Sequence, residues 1–202
     1  MIDPGHTVER MSDEEVESRV LSIIAKAMDR PVSEVKPSSS LEGDLGAQSL
    51  DYLDIAFSLE REFRIQFPRT DFMQRAADHF GEKNLVRDGV ITDLGLELLR
   101  LGMPELNPAD LKSGLKINEL RNMFTVGTFI RVVKQLLEVK SGMDTTCPEC
   151  KGALQPSPSL PEFVCTTCGK VVPLPSGDDV LFEHVVALKE TLERSVQKGA
   201  AQ

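Results

Sequence analysis

Apolar residues recur every three or four positions along much of the chain, and this spacing predicts amphipathic helices. The first such segment begins after Ser12, which is placed to form a capping box with Glu15, and it ends at Pro31. The stretch 32–46 is rich in Ser, Pro and Gly and predicts a loop. Three apolar residues of this loop are expected to lie in the core: Val35, Leu41 and Leu45.

Two further helices are predicted where the apolar residues are most regular. One begins at Ser49, which is expected to be its N-cap, and ends near Pro68. The other begins at Thr125 and ends at Ser141. Their expected apolar sides are formed by Leu50, Leu53, Ala56, Phe57, Leu59 and Phe63 in the first and by Val126, Phe129, Ile130, Val133, Leu136 and Leu137 in the second.

The region between these two helices is predicted to be helical as well. Segments 71–80 and 92–101 show helical spacing, and Gly81 and Gly102 are placed to stop them. An Asn-Pro pair at 107–108 signals another helix start. No segment shows the period-two alternation of a strand, so we expect an all-α fold.

After residue 140 the chain changes character, because a segment rich in Gly and Pro carries all four cysteines. A final amphipathic helix is predicted over 178–197, with an apolar side formed by Leu181, Val185, Leu188 and Leu192. The sequence therefore predicts a helical domain over 1–140 and a small module over 141–202 that ends in a helix.

The cysteines form two Cys-x-x-Cys pairs, Cys147 with Cys150 and Cys165 with Cys168, separated by 14 residues. Each pair can bend into a knuckle, and two facing knuckles make a tetrahedral site of four thiolates. Zinc suits such a site, which predicts a zinc ribbon with a structural metal that supplies folding energy. An iron–sulfur cluster uses the same ligands, and the sequence leaves this alternative open.

Charge narrows the possible partners. The 202 residues carry 23 Lys and Arg against 32 Asp and Glu, a formal net charge of −9. Residues 1–68 contain 14 acidic and 7 basic side chains, so the acidity is concentrated there. This balance disfavours nucleic acid, whose binding relies on Lys and Arg, and favours basic protein partners. No apolar run approaches the length of a membrane helix, so we expect no membrane span and a cytoplasmic location.

One segment resembles a known family. The chain resembles the acyl carrier proteins in the segment D-L-G-A-Q-S-L at 44–50 and in the acidic helix that follows it. That helix ends in E-R-E-F and I-Q-F-P by residue 68. The resemblance covers roughly residues 12–68 and 125–139. The sequence around Ser49 is most similar to that of specialised carriers of long hydroxy-acyl chains for lipid A. It implies a helical bundle in which Ser49 is esterified with 4′-phosphopantetheine.

The same resemblance implies the partners. A phosphopantetheinyl transferase would attach the arm, and acyl-transferring or acyl-ligating enzymes would use its thioester. A phosphodiester on Ser49 would lie at a helix N-terminus, where N–H groups and the dipole favour an anion. Carboxylates around this serine are expected to steer basic docking faces of partner enzymes. They are Asp44, Asp51, Asp54, Glu60 and Glu62.

Two features depart from the family pattern. The family has Asp before the serine, whereas this chain has Gln48, which bears on recognition by the transferase. The family also reaches its last helix within a short distance, whereas residues 69–124 here form an insertion. The insertion is expected to enlarge an acyl pocket, to add a docking surface, or only to add helices.

The sequence contains no arrangement typical of a catalytic site, so a non-catalytic acyl carrier in fatty-acid, lipid or secondary metabolism is expected. Two alternatives stay open. One is an interaction adaptor that keeps the carrier fold without the arm. The other is a zinc-ribbon factor that binds nucleic acid, which the net charge disfavours.

Overall fold

The computed structural model describes residues 11–158 and 160–199, with side chains up to residue 192. Eight α-helices, two short 3-10 helices (Val32–Glu34 and Arg121–Met123) and five short strands lie within these ranges. The helices are α1 (Asp13–Ala27), α2 (Ser49–Phe63), α3 (Phe72–Phe80), α4 (Glu82–Leu85), α5 (Asp93–Gly102), α6 (Ile117–Leu120), α7 (Val126–Ser141) and α8 (Gly177–Gly199). The strands are β1 (Val86–Arg87), β2 (Val90–Ile91), β3 (Leu154–Pro156), β4 (Glu162–Cys165) and β5 (Val171–Pro173).

The described residues form two compact units, each built from several chain segments. The first comprises residues 11–37, 48–67 and 129–176, and so contains α1, α2, most of α7 and the cysteine segment. The second comprises 38–47, 68–128 and 177–199, and so contains α3 to α6 and α8. Among the described helices, none is long and apolar enough to cross a membrane.

In the first unit, the predicted capping box of α1 is confirmed. The Ser12 hydroxyl accepts the Glu15 N–H at 3.2 Å, and the Glu15 carboxylate accepts the Ser12 N–H at 2.9 Å. These two bonds satisfy N–H groups that a helix start leaves unpaired. The buried side of this unit is formed by Val16, Val20 and Ile24 of α1, by Ile55, Leu59 and Phe63 of α2, and by Ile130, Val133 and Leu136 of α7.

Polar contacts also join the three helices of the first unit. Arg19 pairs with Glu62 at 2.9 Å, and Lys134 pairs with Asp13 at 2.9 Å. The Lys140 ammonium donates to the backbone carbonyls that end α2, at 3.0 and 3.2 Å. Surface ion pairs contribute only about 0–1 kcal/mol, so apolar burial holds the helices together and the pairs fix their register.

The predicted apolar side of α2 is wrong in part. Leu50, Leu53 and Phe57 are exposed, whereas Ile55 and Leu59 are fully buried. α2 therefore has two apolar stripes on different sides, and only one of them faces the core. The sequence pattern merged them because both follow the same helical spacing.

The second unit has a core of its own, formed by α3, α5 and α8. The predicted terminal helix is confirmed, and Leu181 and Val185 of α8 are buried with Phe72 of α3 and with Leu96 and Leu99 of α5. The three helices are in mutual contact through this cluster. The C-terminal helix thus packs with residues 68–128 in one unit.

Asp178 in the first turn of α8 holds that helix against the segment that leads into α3. Its carboxylate accepts the backbone N–H groups of Arg69 and Thr70 and the Thr70 hydroxyl, and it lies 3.5 Å from the Arg75 guanidinium. Partial burial alone would raise the pKa of Asp178, but the Thr70 and Arg69 hydrogen bonds outweigh it and lower the pKa.

The expectation of an all-α fold is wrong for two small sheets. β1 and β2 form an antiparallel hairpin, and β3, β4 and β5 form a three-stranded antiparallel sheet in that order. These strands contain two to four residues, too few for alternation to appear in the sequence. A signal for the hairpin was present: Asp88 and Gly89 both have positive φ, 52° and 78°, as a tight Asp-Gly hairpin turn requires.

Two predicted helix boundaries also differ. Residues 108–112 form hydrogen-bonded turns rather than a helix, because Gly114 and scattered polar residues leave no continuous apolar side to bury. Gly102 is the last residue of α5 and not a stop after it. A Cβ at Gly102 would overlap the Phe72 ring, so glycine is needed there for close packing. Gly81 does follow α3, as predicted.

The second unit should be sensitive to a single methyl group at Gly95. A Cβ there would lie 2.7 Å from the Leu85 carbonyl oxygen and from the Ile91 Cγ2 atom. We expect Gly95→Ala to lower the free energy of unfolding by about 1–3 kcal/mol, although alanine normally stabilises a helix by about 1 kcal/mol. Urea denaturation followed by circular dichroism measures the change.

Gly142→Ala is the matched control. Its nearest atoms would lie 3.6 Å away, which is ordinary contact, so its unfolding midpoint should stay the same or rise slightly. An equal loss of stability in both variants would contradict the close approach at Gly95.

Candidate functional site

The serine singled out by the sequence lies at the start of α2, one position later in the helix than expected. Ser49 is the first helical residue, and the N-cap position belongs to Gln48. Ser49 is exposed, and its hydroxyl makes no hydrogen bond to another described residue. A serine in the first turn is not needed as a cap, so its oxygen is available for chemistry.

Asp51 does the capping at this helix start. Its carboxylate accepts the Gln48 backbone N–H at 2.7 Å, and it lies in the first turn, where the helix dipole favours a negative charge. The substitution at residue 48 therefore removes a charge from the approach to Ser49 without removing the cap. The remaining first-turn N–H groups still make this end of α2 favourable for a phosphate.

Two of the predicted docking carboxylates are held by hydrogen bonds to the backbone. In the second unit, Asp44 accepts the Ser40 N–H at 2.8 Å. In the first unit, Glu60 accepts the Phe67 N–H at 2.8 Å. Both bonds stabilise loops. These two carboxylates therefore have a local structural role that the sequence pattern did not predict.

The other carboxylates of α2 differ in their surroundings. Glu62, near the C-terminal end, pairs with Arg19. Asp54 is exposed and, among the described residues, is the one member of the predicted set that makes no hydrogen bond or ion pair. Asp54 is therefore the carboxylate most available to a partner.

Asp54 is accompanied by the exposed apolar stripe of α2. Leu50, Leu53 and Phe57 are 77%, 49% and 55% exposed, and their spacing places them with Asp54 on one side of the helix. We call these four residues the α2 outer face. Exposed apolar residues that cluster beside a charge are typical of binding surfaces. The spacing alone did not reveal this face, because it placed Leu50, Leu53 and Phe57 on one apolar side with Ala56, Leu59 and Phe63.

The four cysteines are brought together in the first unit, as the spacing predicted. The Cys147 N–H donates to Gly152 O at 2.8 Å and the Cys165 N–H donates to Lys170 O at 2.8 Å, so each pair forms a tight turn. Three Sγ–Sγ distances are 3.4, 3.4 and 3.7 Å, and all four sulfur atoms lie within 4.8 Å of one another.

These distances fit one tetrahedral ion. With metal–sulfur bonds of about 2.3 Å, the sulfurs of a tetrahedral site lie about 3.8 Å apart. A disulfide would need about 2.05 Å, and a cluster of several irons would divide the four thiolates among different irons, which would hold at least some of them farther apart. The donor set is thus compatible with zinc and disfavours a multinuclear iron–sulfur cluster.

The electrostatics of the four-cysteine site favour the binding of a cation. The N–H groups of Cys168 and Thr167 donate to the Cys165 sulfur and, despite burial, lower the pKa of Cys165 to about 6. The Lys170 N–H lowers the pKa of Cys168, but the neighbouring Cys150 and Cys165 side chains raise it to about 12. Thiolates this close repel each other, and a bound cation would remove that penalty.

Comparisons with known proteins agree with the site around Ser49. Residues 18–77 match the family model described as the phosphopantetheine attachment site. The chain is 35% identical over 78 residues to an acyl carrier protein of Chlorobium phaeovibrioides, covering all of that protein and 36% of this chain. The matched segment, which includes Ser49, is thus that of a carrier class. The chain belongs to the acyl carrier protein family.

The family model covers only part of the chain. Members of this family are non-catalytic carriers, and the resemblance is confirmed for the part of the chain that includes α2. The family model ends at residue 77, inside α3. The expectation that α7 corresponds to the last helix of the family therefore stays a prediction, as do the lipid A subfamily and the division at residue 140.

The capping role of Asp51 and the exposed position of Asp54 predict that the two residues differ in how much they contribute to stability. Asp51→Ala removes the carboxylate that accepts the Gln48 N–H, so we expect a loss of about 0.5–2 kcal/mol in the free energy of unfolding. Asp54→Ala removes no described contact and should change stability by less than about 0.5 kcal/mol. Urea denaturation of the two variants compares them. Equal effects would contradict the capping role.

Proposed function

We propose that this protein is an acyl carrier in which Ser49 holds a 4′-phosphopantetheine arm transferred from coenzyme A. The observation that carries the proposal is the exposed Ser49 hydroxyl in the first turn of α2, inside the segment that matches the phosphopantetheine attachment model. When bound, the arm supplies a thiol on which acyl groups are carried as thioesters.

The residues around Ser49 suit a phosphodiester. The first turn of α2 offers N–H groups and the positive end of the helix dipole, and the Asp51 carboxylate is already engaged with the backbone of Gln48. The side chain at residue 48 is neutral, which lowers the repulsion that a phosphate would meet. These features favour a stable phosphate ester at this serine.

The α2 outer face is the proposed docking surface for the partner enzymes. The transferase and the enzymes that load or use the acyl group must all approach Ser49, and Leu50, Leu53 and Phe57 offer apolar contact beside it. Asp54 supplies the charge that steers a basic face toward this end of the helix. The cargo belongs to fatty-acid, lipid or secondary metabolism, and the chemistry is performed by the partners in the cytoplasm.

The four-cysteine site is proposed to bind one structural Zn²⁺. Cys147, Cys150, Cys165 and Cys168 provide a closed set of four thiolates, which leaves no position for a reacting water. The segment between α7 and α8 has a small core of its own, formed with Leu154, Phe163 and Leu174. Since so few apolar residues provide little stability, the metal would supply much of the folding energy.

Loading of the arm tests the carrier function. The full chain is incubated with coenzyme A and a phosphopantetheinyl transferase, and we expect its intact mass to rise by one phosphopantetheine group. Ser49→Ala should gain no mass, whereas Ser18→Ala, which removes an exposed serine of α1, should be loaded normally. Asp54→Ala should be loaded several-fold more slowly at low salt, with the difference shrinking as salt is added.

The outcomes separate the carrier from its alternatives. An unmodified wild-type chain with several transferases would overturn the carrier proposal and favour the adaptor. A mass gain that persists in Ser49→Ala would place the arm on another residue.

Metal analysis tests the zinc site. The purified chain should contain one zinc per molecule and no iron, and Cys147→Ser should lose most of the metal because it breaks the ligand set. Glu149→Gln is the control, since Glu149 lies in the same knuckle and pairs with Lys170 at 2.7 Å without belonging to the ligand set. Metal loss in Glu149→Gln, or iron in the wild type, would contradict the assignment.

A further inference from the structure

The four cysteines differ in their access to solvent. Cys147 and Cys165 are buried, at 0% and 2% exposure, among Leu154, Phe163 and Leu174. Cys150 and Cys168 are exposed. Each knuckle therefore contributes one buried and one exposed cysteine, and the contact between the Cys150 and Cys168 sulfurs is open to solvent.

The two exposed sulfurs are also close neighbours. The Sγ atoms of Cys150 and Cys168 lie 3.4 Å apart, so a shift of about 1.4 Å would bring them to the 2.05 Å of a disulfide. An oxidant that reaches one of them from solvent finds the other within contact distance. The buried pair is shielded by the apolar cluster, so oxidation should begin at the surface.

We propose that this site is a redox switch, in which hydrogen peroxide joins Cys150 to Cys168 and releases the metal. The proposal rests on the zinc assignment made above. It adds a regulatory reaction to a site that otherwise has only a structural use.

The reaction balances as a two-electron oxidation. The thiolate of one exposed cysteine attacks a peroxide oxygen, the O–O bond breaks, and a sulfenic acid forms as hydroxide leaves. The second exposed thiolate attacks that sulfur, an S–S bond forms, and a second hydroxide leaves. Two protons convert both hydroxides to water, and the peroxide is the species reduced. Only Cys147 and Cys165 would then be able to hold a metal, too few ligands for a closed tetrahedral site, so its affinity would be lost.

Metal release would change the segment that connects α7 to α8. Residues 142–176 contain three strands of three or four residues and one small apolar cluster. Without the metal this segment would behave as a flexible connection, because its core is too small to hold the strands in place. Oxidation would therefore loosen the link between α7 and α8 while leaving α1 and α2 intact.

The sequence offers a sharp peptide test. Trypsin cuts after Lys140, Lys151 and Lys170, so one peptide contains Cys147 and Cys150 and the next contains Cys165 and Cys168. A disulfide within a knuckle stays inside one peptide, whereas Cys150–Cys168 links the two. Alkylation of the remaining thiols and fragmentation of the linked pair then identify the cysteines involved.

The experiment treats the zinc-loaded full chain with one equivalent of hydrogen peroxide. We expect release of one zinc per chain, read with a chromogenic chelator, together with the Cys150–Cys168 linked peptides. Hydrogen exchange should rise in 144–174 and stay unchanged in α1 and α2. A dithiol reductant with added zinc should restore the starting state. Retained zinc, or linkage within a knuckle or through a buried cysteine, would overturn the switch.

The order of events separates the switch from loss of metal alone. Zinc-loaded protein that is stripped by a chelator without oxidant should contain no Cys150–Cys168 link, whereas peroxide should form the link as zinc is released. If the wild-type chain holds no zinc at all, the zinc assignment fails by itself. If zinc is present but the linkage is absent, the zinc assignment stands and the switch fails.

Discussion

The site depends on how the N-terminus of α2 is capped. The Asp51 carboxylate binds the Gln48 N–H, so the helix start is satisfied without help from Ser49. A serine that served as the cap would have its oxygen occupied by the backbone. Because Asp51, three residues after Gln48, supplies the cap, the Ser49 hydroxyl makes no hydrogen bond to another described residue and lies at the end of the helix where an anion is favoured.

The sequence predicted those parts of the fold that rest on local patterns. The Ser12–Glu15 capping box, the terminal helix and the grouping of four cysteines follow from spacing alone, because capping, amphipathicity and metal knuckles are local properties. The placement of Leu53 and Phe57 on the same apolar side as Leu59 was wrong. Two apolar stripes on one helix look alike in sequence, and only tertiary packing decides which one is buried.

The sequence predicted which residues belong to the site better than it predicted what each of them does. Five carboxylates were expected to act as one docking surface, but Asp44 and Glu60 accept backbone N–H groups and Glu62 pairs with Arg19. Charge patterning cannot reveal such bonds, since they depend on loops that come near only in the folded chain. Asp54 keeps the predicted use, and the exposed leucines beside it were not anticipated.

Acidity and apolar exposure have complementary uses on α2. Long-range charge attracts many basic partners with little discrimination, whereas apolar contact acts only at close range and depends on shape. A carrier must meet several enzymes and leave each one, so its docking energy has to stay modest. One unengaged carboxylate with three partly exposed apolar side chains meets this need: the charge speeds encounter, and the small apolar area keeps dissociation fast. The other carboxylates are already bonded within the protein. They therefore limit how strongly any basic partner can be held.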